Sequence, residues 1–211
     1  PWSQLLAPAR RHFRAYNFGA TSICGAARDI PLNIRAIIPG FTLQDYSGIP
    51  RLDQLFDQLA RAWATDALST AQSKPSGIFP SAVSLASPPV FGTGGSWWLN
   101  GGYVDLPSGA AYHAYLYTLL FSAYQRSTAP DRALLLEPVY RAALLVDDFI
   151  QGGLAGSAPG QPRWTADTLK GPIANAAFNA RGALASDPVL ALTSADLARI
   201  DRVIDTYASP Y

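Results

Sequence analysis

The sequence predicts an all-α fold of antiparallel helix pairs joined by long Gly- and Pro-rich loops. Several segments repeat apolar residues at three- and four-residue intervals, the stripe of an amphipathic helix. Caps and breakers stand at the ends of those segments. Between them lie connections that gather most of the glycines, prolines and paired aromatics.

Taken in order, Gln4–Tyr16 reads as a first helix. Asn17 to Pro50 is a long connection holding Gly19, Gly25, Pro31, Pro39, Gly40 and Gly48. Leu52, Leu55, Phe56, Leu59, Ala60 and Trp63 then mark a helix over Leu52–Leu68, and Asp53 in its first turn suits the helix dipole. Ser73 to Pro107 is a second long connection with Trp97, Trp98 and five prolines, in which short strands such as Ile78–Leu85 are expected. Ser108–Arg126 is a helix rich in Ala, Leu and Tyr. Another follows Pro130, with Leu134, Leu135, Val139, Ala142, Ala143, Val146 and Phe149 in register and Gly152-Gly153 as its stop. Thr165–Ala185 reads as a helix, with Pro172 placing its start alternatively near Gly171. Ser194–Tyr207 closes the chain behind a Thr-Ser-Ala-Asp cap.

The 211 residues are 49% apolar and 15% charged, and 16 Lys and Arg stand against 15 Asp and Glu. That composition suits one domain over residues 1–211 and excludes a disordered or strongly basic chain. No nucleic-acid partner is expected from a net charge of +1, and Arg10-Arg11-His12 reads as a solvated helix face. No apolar run reaches a membrane span. Cys24 is alone, and His12 and His113 stand far apart, so neither a metal nor another cofactor is expected. Glu137 is the only glutamate, and Lys74 and Lys170 are the only lysines. The absence of methionine marks a processed chain or part of a longer one, for which a secreted or periplasmic location stays open. Phosphate-cradling glycine loops and a Gly-x-Ser-x-Gly elbow are absent.

Trp63-Ala-Thr-Asp-Ala, Lys74-Pro-Ser-Gly-Ile-Phe-Pro, Gly95-Ser-Trp-Trp and Tyr112-His-Ala-Tyr-Leu-Tyr follow one another in a helix-and-loop rhythm. Over Leu52 to Gly153 this resembles the (α/α)-toroid carbohydrate-active enzymes, polysaccharide lyases and some glycoside hydrolases. A full toroid stacks about a dozen helices and this chain has room for about half that number, so the resemblance implies a second chain, a homo-oligomer or a missing segment. It also implies an oligo- or polysaccharide partner. Toroid lyases use Tyr and His, with Asn or Arg neutralising a uronate carboxylate.

His113 and Tyr112 or Tyr115 are therefore the candidate base and acid for β-elimination. The alternative reading of this segment is tyrosines packed between helices around a core histidine. Trp97 and Trp98, with Asn100 and Tyr103, form a candidate sugar platform, or else anchor a loop. Asn17 and Arg28 are candidate substrate contacts, and Arg28 with Asp29 equally makes a local ion pair. Asp66 and Asp105 are the carboxylates best placed for the rival hydrolase. Asp147-Asp148 opposes the dipole at a helix C-terminus and marks either a site or solvent exposure. A non-catalytic helical module binding glycan or protein through the same aromatics is the third reading.

Overall fold

The structure, a computed structural model, describes residues 28–84, 89–100 and 105–209, with side chains for all of these but 28, 36–38, 41, 42 and 45. The helix expected over Gln4–Tyr16 and the candidate residues Asn17 and Tyr103 lie outside the described residues.

Among the described residues the architecture is all-α. Strand β1 (Arg28–Asp29) pairs antiparallel with β2 (Val83–Ser84), Arg28 opposite Ser84 and Asp29 opposite Val83. Six helices lie among the described residues: α1 (Asn33–Ser47), α2 (Pro50–Leu68), α3 (Leu106–Arg126), α4 (Glu137–Ile150), α5 (Pro162–Ser186) and α6 (Ser194–Tyr207). Single 3-10 turns lie at Ala71–Ser73 and Arg132–Leu135.

Helix α1 corrects the expectation of a long connection without a helix over Asn17 to Pro50. The helix runs through Pro39 and Gly40, which the sequence presents as breakers. Packing supplies the reason. A Cβ on Gly40 would stand 2.7 Å from Phe56 Cζ, so glycine lets this backbone close on α2. Helix α5 corrects the alternative start near Gly171 in the same way. It spans Pro172 because its buried stripe, including Leu169, Ile173, Ala177 and Leu184, continues across the proline. Burial of that stripe outweighs the roughly 3 kcal/mol that an interior proline costs a helix.

Helices α2 and α3 are antiparallel. Asp57 near the start of α2 lines a groove with Ser122 and Arg126 at the end of α3. At the other end of the pair, Trp63 and Tyr117 both meet Phe79. Helices α5 and α6 are antiparallel as well, since Arg181 pairs with Asp201 and Lys170 sits over the ring of Tyr207. The start of α6 carries the expected N-cap, and the cap is reciprocal, Thr193 accepting from the Asp196 N–H and Asp196 from the Thr193 N–H.

The Asp147-Asp148 pair proves to be an ionic tie between α4 and α6. Asp147 is buried and accepts from Arg199 Nε at 2.6 Å and Arg202 Nη1 at 2.5 Å, while Asp148 pairs with Arg199. Two guanidiniums thus answer the dipole conflict, and neither a site nor simple exposure is needed for Asp147. One core runs through the stack, with Trp63, Leu59, Leu116, Leu120, Val139, Val146, Leu169, Ile173, Ile200 and Val203 among its members. No helix of the described residues is long and apolar enough to cross a membrane.

Candidate functional site

The connection between α2 and α3 meets the one between α4 and α5 at one end of the stack. The Leu106 N–H bonds the Trp98 carbonyl at 3.0 Å, and the Trp98 ring meets that of Trp164 at 5.5 Å. The candidate chemistry is therefore at the loop-rich end of α3.

The segment Lys74-Pro-Ser-Gly-Ile-Phe-Pro closes that end of α2. Helix C-termini leave carbonyls without intrahelical partners. Here the Ala67 carbonyl accepts from Lys74 Nζ at 2.6 Å and from the Gly77 N–H at 2.9 Å, while Ser76 Oγ donates to the Leu68 carbonyl at 3.2 Å. Lys74 Nζ also donates to the carbonyls of Ile78 and Pro75. Its burial holds the ammonium down to about 7 from an ordinary 10.5. Gly77 has φ +86°, and a Cβ there would come within 2.5 Å of the Ala142 nitrogen on α4. Ile78 and Phe79 follow as fully buried side chains, and Phe79 contacts the rings of Trp63, His113 and Tyr117. Tyr117 donates its hydroxyl to the Gly77 carbonyl at 3.1 Å. The motif that carries much of the family resemblance is thus a helix cap and a core plug.

His113 lies on the face of α3 turned to this plug and is 1% exposed. Burial, reinforced by the charge of nearby Lys74, holds its imidazole down to about 3 from 6.5, so the ring is neutral at physiological pH. Its Nδ1 is buried without a hydrogen-bond partner. Tyr112 is half-buried, and its ring lies 6.5 Å from that of Tyr115 and under the guanidinium of Arg35 at 5.8 Å. Tyr115 is exposed on the outer face.

The loop brings Asn100 to the same place. Ser81 donates its hydroxyl to the carbonyls of Trp97 and Leu99, and Asn100 Nδ2 donates back to the Ser81 carbonyl at 3.2 Å. Asn100, Ser81, Tyr112 and His113 then line one cavity with Ile30, Pro31 and Leu32. Its volume of about 10 Å³ matches a single water molecule, not a sugar ring.

The remaining candidates separate. Trp97 is 2% exposed and offers no face to a sugar. Trp98 is half-buried, packed on Trp164 and on Gly160, where a Cβ would stand 2.5 Å from the Trp98 ring. Asp66 is buried on α2. Asp105 is half-buried and accepts the Asn100 N–H at 2.5 Å, tying the loop to the start of α3. Arg28 lies in β1. Its neighbour Asp29 is buried and accepts from the Ile30 N–H and the Asn33 side chain through Oδ1. Among the described residues no group of three or more His, Cys, Asp or Glu is placed to hold a metal.

Sequence reasoning passed over Arg35, Ser81, Lys74 as a buried cation, and Trp164. Only Lys74 carried a usable signal, as one of two lysines placed where a buried turn follows a helix. No family model matches the chain, and neither a curated protein nor a solved structure matches it.

Proposed function

We propose that the chain is a carbohydrate-active protein built as part of an (α/α) toroid, and that its chemistry is β-elimination on a uronate-containing glycan. The observation that carries this is the grouping of Asn100, Tyr112 and His113 around one cavity at the loop-rich end of the stack. A base, an acid and an amide are the set that elimination needs. Once the turn beside it has moved and the burial that depresses its basicity is relieved, the neutral His113 imidazole takes the proton α to the uronate carboxylate. The electron pair forms the new double bond and the glycosidic C–O bond breaks, with the Tyr112 phenol protonating the leaving oxygen. Asn100 faces the carboxylate, and Arg35 stands over Tyr112 to share that charge. Because the cavity is the size of one water, the turn Ile30–Leu32 has to give way as the glycan enters.

The test is incubation with uronate polymers while following the ultraviolet absorption of an unsaturated uronate. His113→Ala should lower the rate by about 10² or more, and Tyr112→Phe by a similar factor. New reducing ends without that absorption would indicate the hydrolase instead. Asp66 and Asp105 would then be its candidates, although one is buried and the other bonded to a backbone N–H.

A non-catalytic glycan-binding module is favoured by one observation, the burial of the candidate base His113. In that reading Trp98, Trp164 and Tyr115 make the contact. Binding of uronate glycans without turnover, unchanged in His113→Gln, would establish it.

A further inference from the structure

A groove of about 470 Å³ opens between α2 and the end of α3, at the opposite end of α3 from His113. That volume lies in the range of small-ligand sites. Phe56 and Leu119 form its apolar floor. Asp53 and Asp57, from successive turns of α2, stand on one wall, and Ser122 and Arg126 from the end of α3 face them.

The walls are held in place. Asp53 accepts from Gln44 Nε2, and Asp57 accepts from Arg61 Nε at 2.8 Å. Arg61 reaches on to Asp131 at 2.9 Å and to Ser127 Oγ at 3.2 Å, spanning α2 and the segment after α3. The polar atoms are thus positioned before any ligand arrives, which lowers the entropy cost of binding.

The lining is mixed in sign. Asp53 and Asp57 repel an anion, while Arg126 and the Arg61 paired with Asp57 offset their pull on a cation. A sugar hydroxyl both donates and accepts, so it can satisfy carboxylate and guanidinium in turn. The C–H face of a pyranose suits an apolar floor. We propose that this groove is a non-catalytic binding site for neutral saccharide rings, a second hold on the glycan away from the cavity at His113. It rests on the reading of the chain as carbohydrate-active and adds the class of sugar taken at this end.

The experiment is a titration of the full chain with maltotriose and with cellotriose, followed by amide chemical shifts of Ser122 and Arg126. A glucuronate oligomer and benzylamine are the charged comparisons. Saturable shifts with a neutral trisaccharide are expected, weakened tenfold or more in Asp57→Asn. Ser122→Trp, which fills the groove from an accessible position, should abolish them. His113→Ala should leave them unchanged while elimination is lost, so the two sites fail separately. Three results would overturn the proposal: no saturable shift with either neutral sugar, binding that survives Ser122→Trp, or tighter binding of benzylamine or the glucuronate oligomer. Elimination that persists without sugar binding in the groove would remove this site alone.

Discussion

Two buried bases at the loop-rich end, Lys74 and His113, take opposite routes to burial. Lys74 Nζ has three carbonyl acceptors, one for each of its N–H groups, so its ammonium is fully bonded although burial disfavours its charge. Lys74→Met should leave buried carbonyls without that donor and cost about 2–4 kcal/mol in urea unfolding. A change within experimental error would mean that the cap closes through Ser76 and Gly77 alone. His113 instead has a buried Nδ1 without a partner and answers burial by staying neutral. Its ring carbon proton should therefore keep its NMR position from pH 8 to pH 5, where an ordinary histidine moves through its titration. The sequence made the Tyr112–Tyr115 and His113–Tyr117 pairs legible, because residues three and four apart share a helix face. It did not show that His113 faces the core, since α3 is apolar on several sides. The burying partners, Phe79 and Lys74, arrive from a loop whose path no helical period encodes.

At the scale of elements, amphipathic periodicity located α2 closely, the Ala-, Leu- and Tyr-rich run located α3, and the Thr-Ser-Ala-Asp cap located α6. Such signals failed for α1, where Pro39 and Gly40 look like breakers and only the approach of Phe56 explains the glycine. The Lys74–Pro80 segment was visible as a pattern, but its work in capping α2 and seating α4 depends on where Gly77 lies. Gly77 combines φ +86° with a Cβ position 2.5 to 2.7 Å from atoms of Ala142, Arg141 and Pro138. Gly77→Ala should therefore push α4 away and lower stability by about 2–4 kcal/mol, more than a strained turn alone. Thermal unfolding of this variant beside Gly94→Ala, where a Cβ meets nothing within 4 Å, separates the crowding from the shared cost of positive φ. Equal losses in the two would show that crowding against α4 contributes nothing.

For the whole molecule, the shifted groups combine into one dependence of stability on pH. His113 has a folded value of about 3 against 6.5, so between those values the unfolded chain binds more protons and acid destabilises the fold. Lys74 acts with the same sign higher up. Its folded value of about 7 against 10.5 makes stability climb with pH across that interval. The carboxylates add to the acid limb. Asp196 is held low by its bonds from Thr193, and Asp201 by Arg181. Burial alone would raise Asp187, but the N–H groups of Leu190 and Val189 and the Tyr124 hydroxyl hold it low. The tyrosines set the alkaline limit. Burial, then the bond to Asp187, raises Tyr124; burial, then the bond to Asp196, raises Tyr140; and burial raises Tyr117. Above about pH 10 the unfolded tyrosines ionise first and stability falls. The urea midpoint should therefore rise from pH 4 to a maximum near pH 9–10, higher than the usual optimum of about pH 5–8. Lys74→Met should remove the rise between pH 7 and 10 while leaving most of the acid limb, since burial is the larger cause of the His113 shift and the Lys74 charge the smaller. A wild-type maximum at pH 6, or a rise between pH 7 and 10 that survives Lys74→Met, would show that Lys74 enters the folded core with its proton.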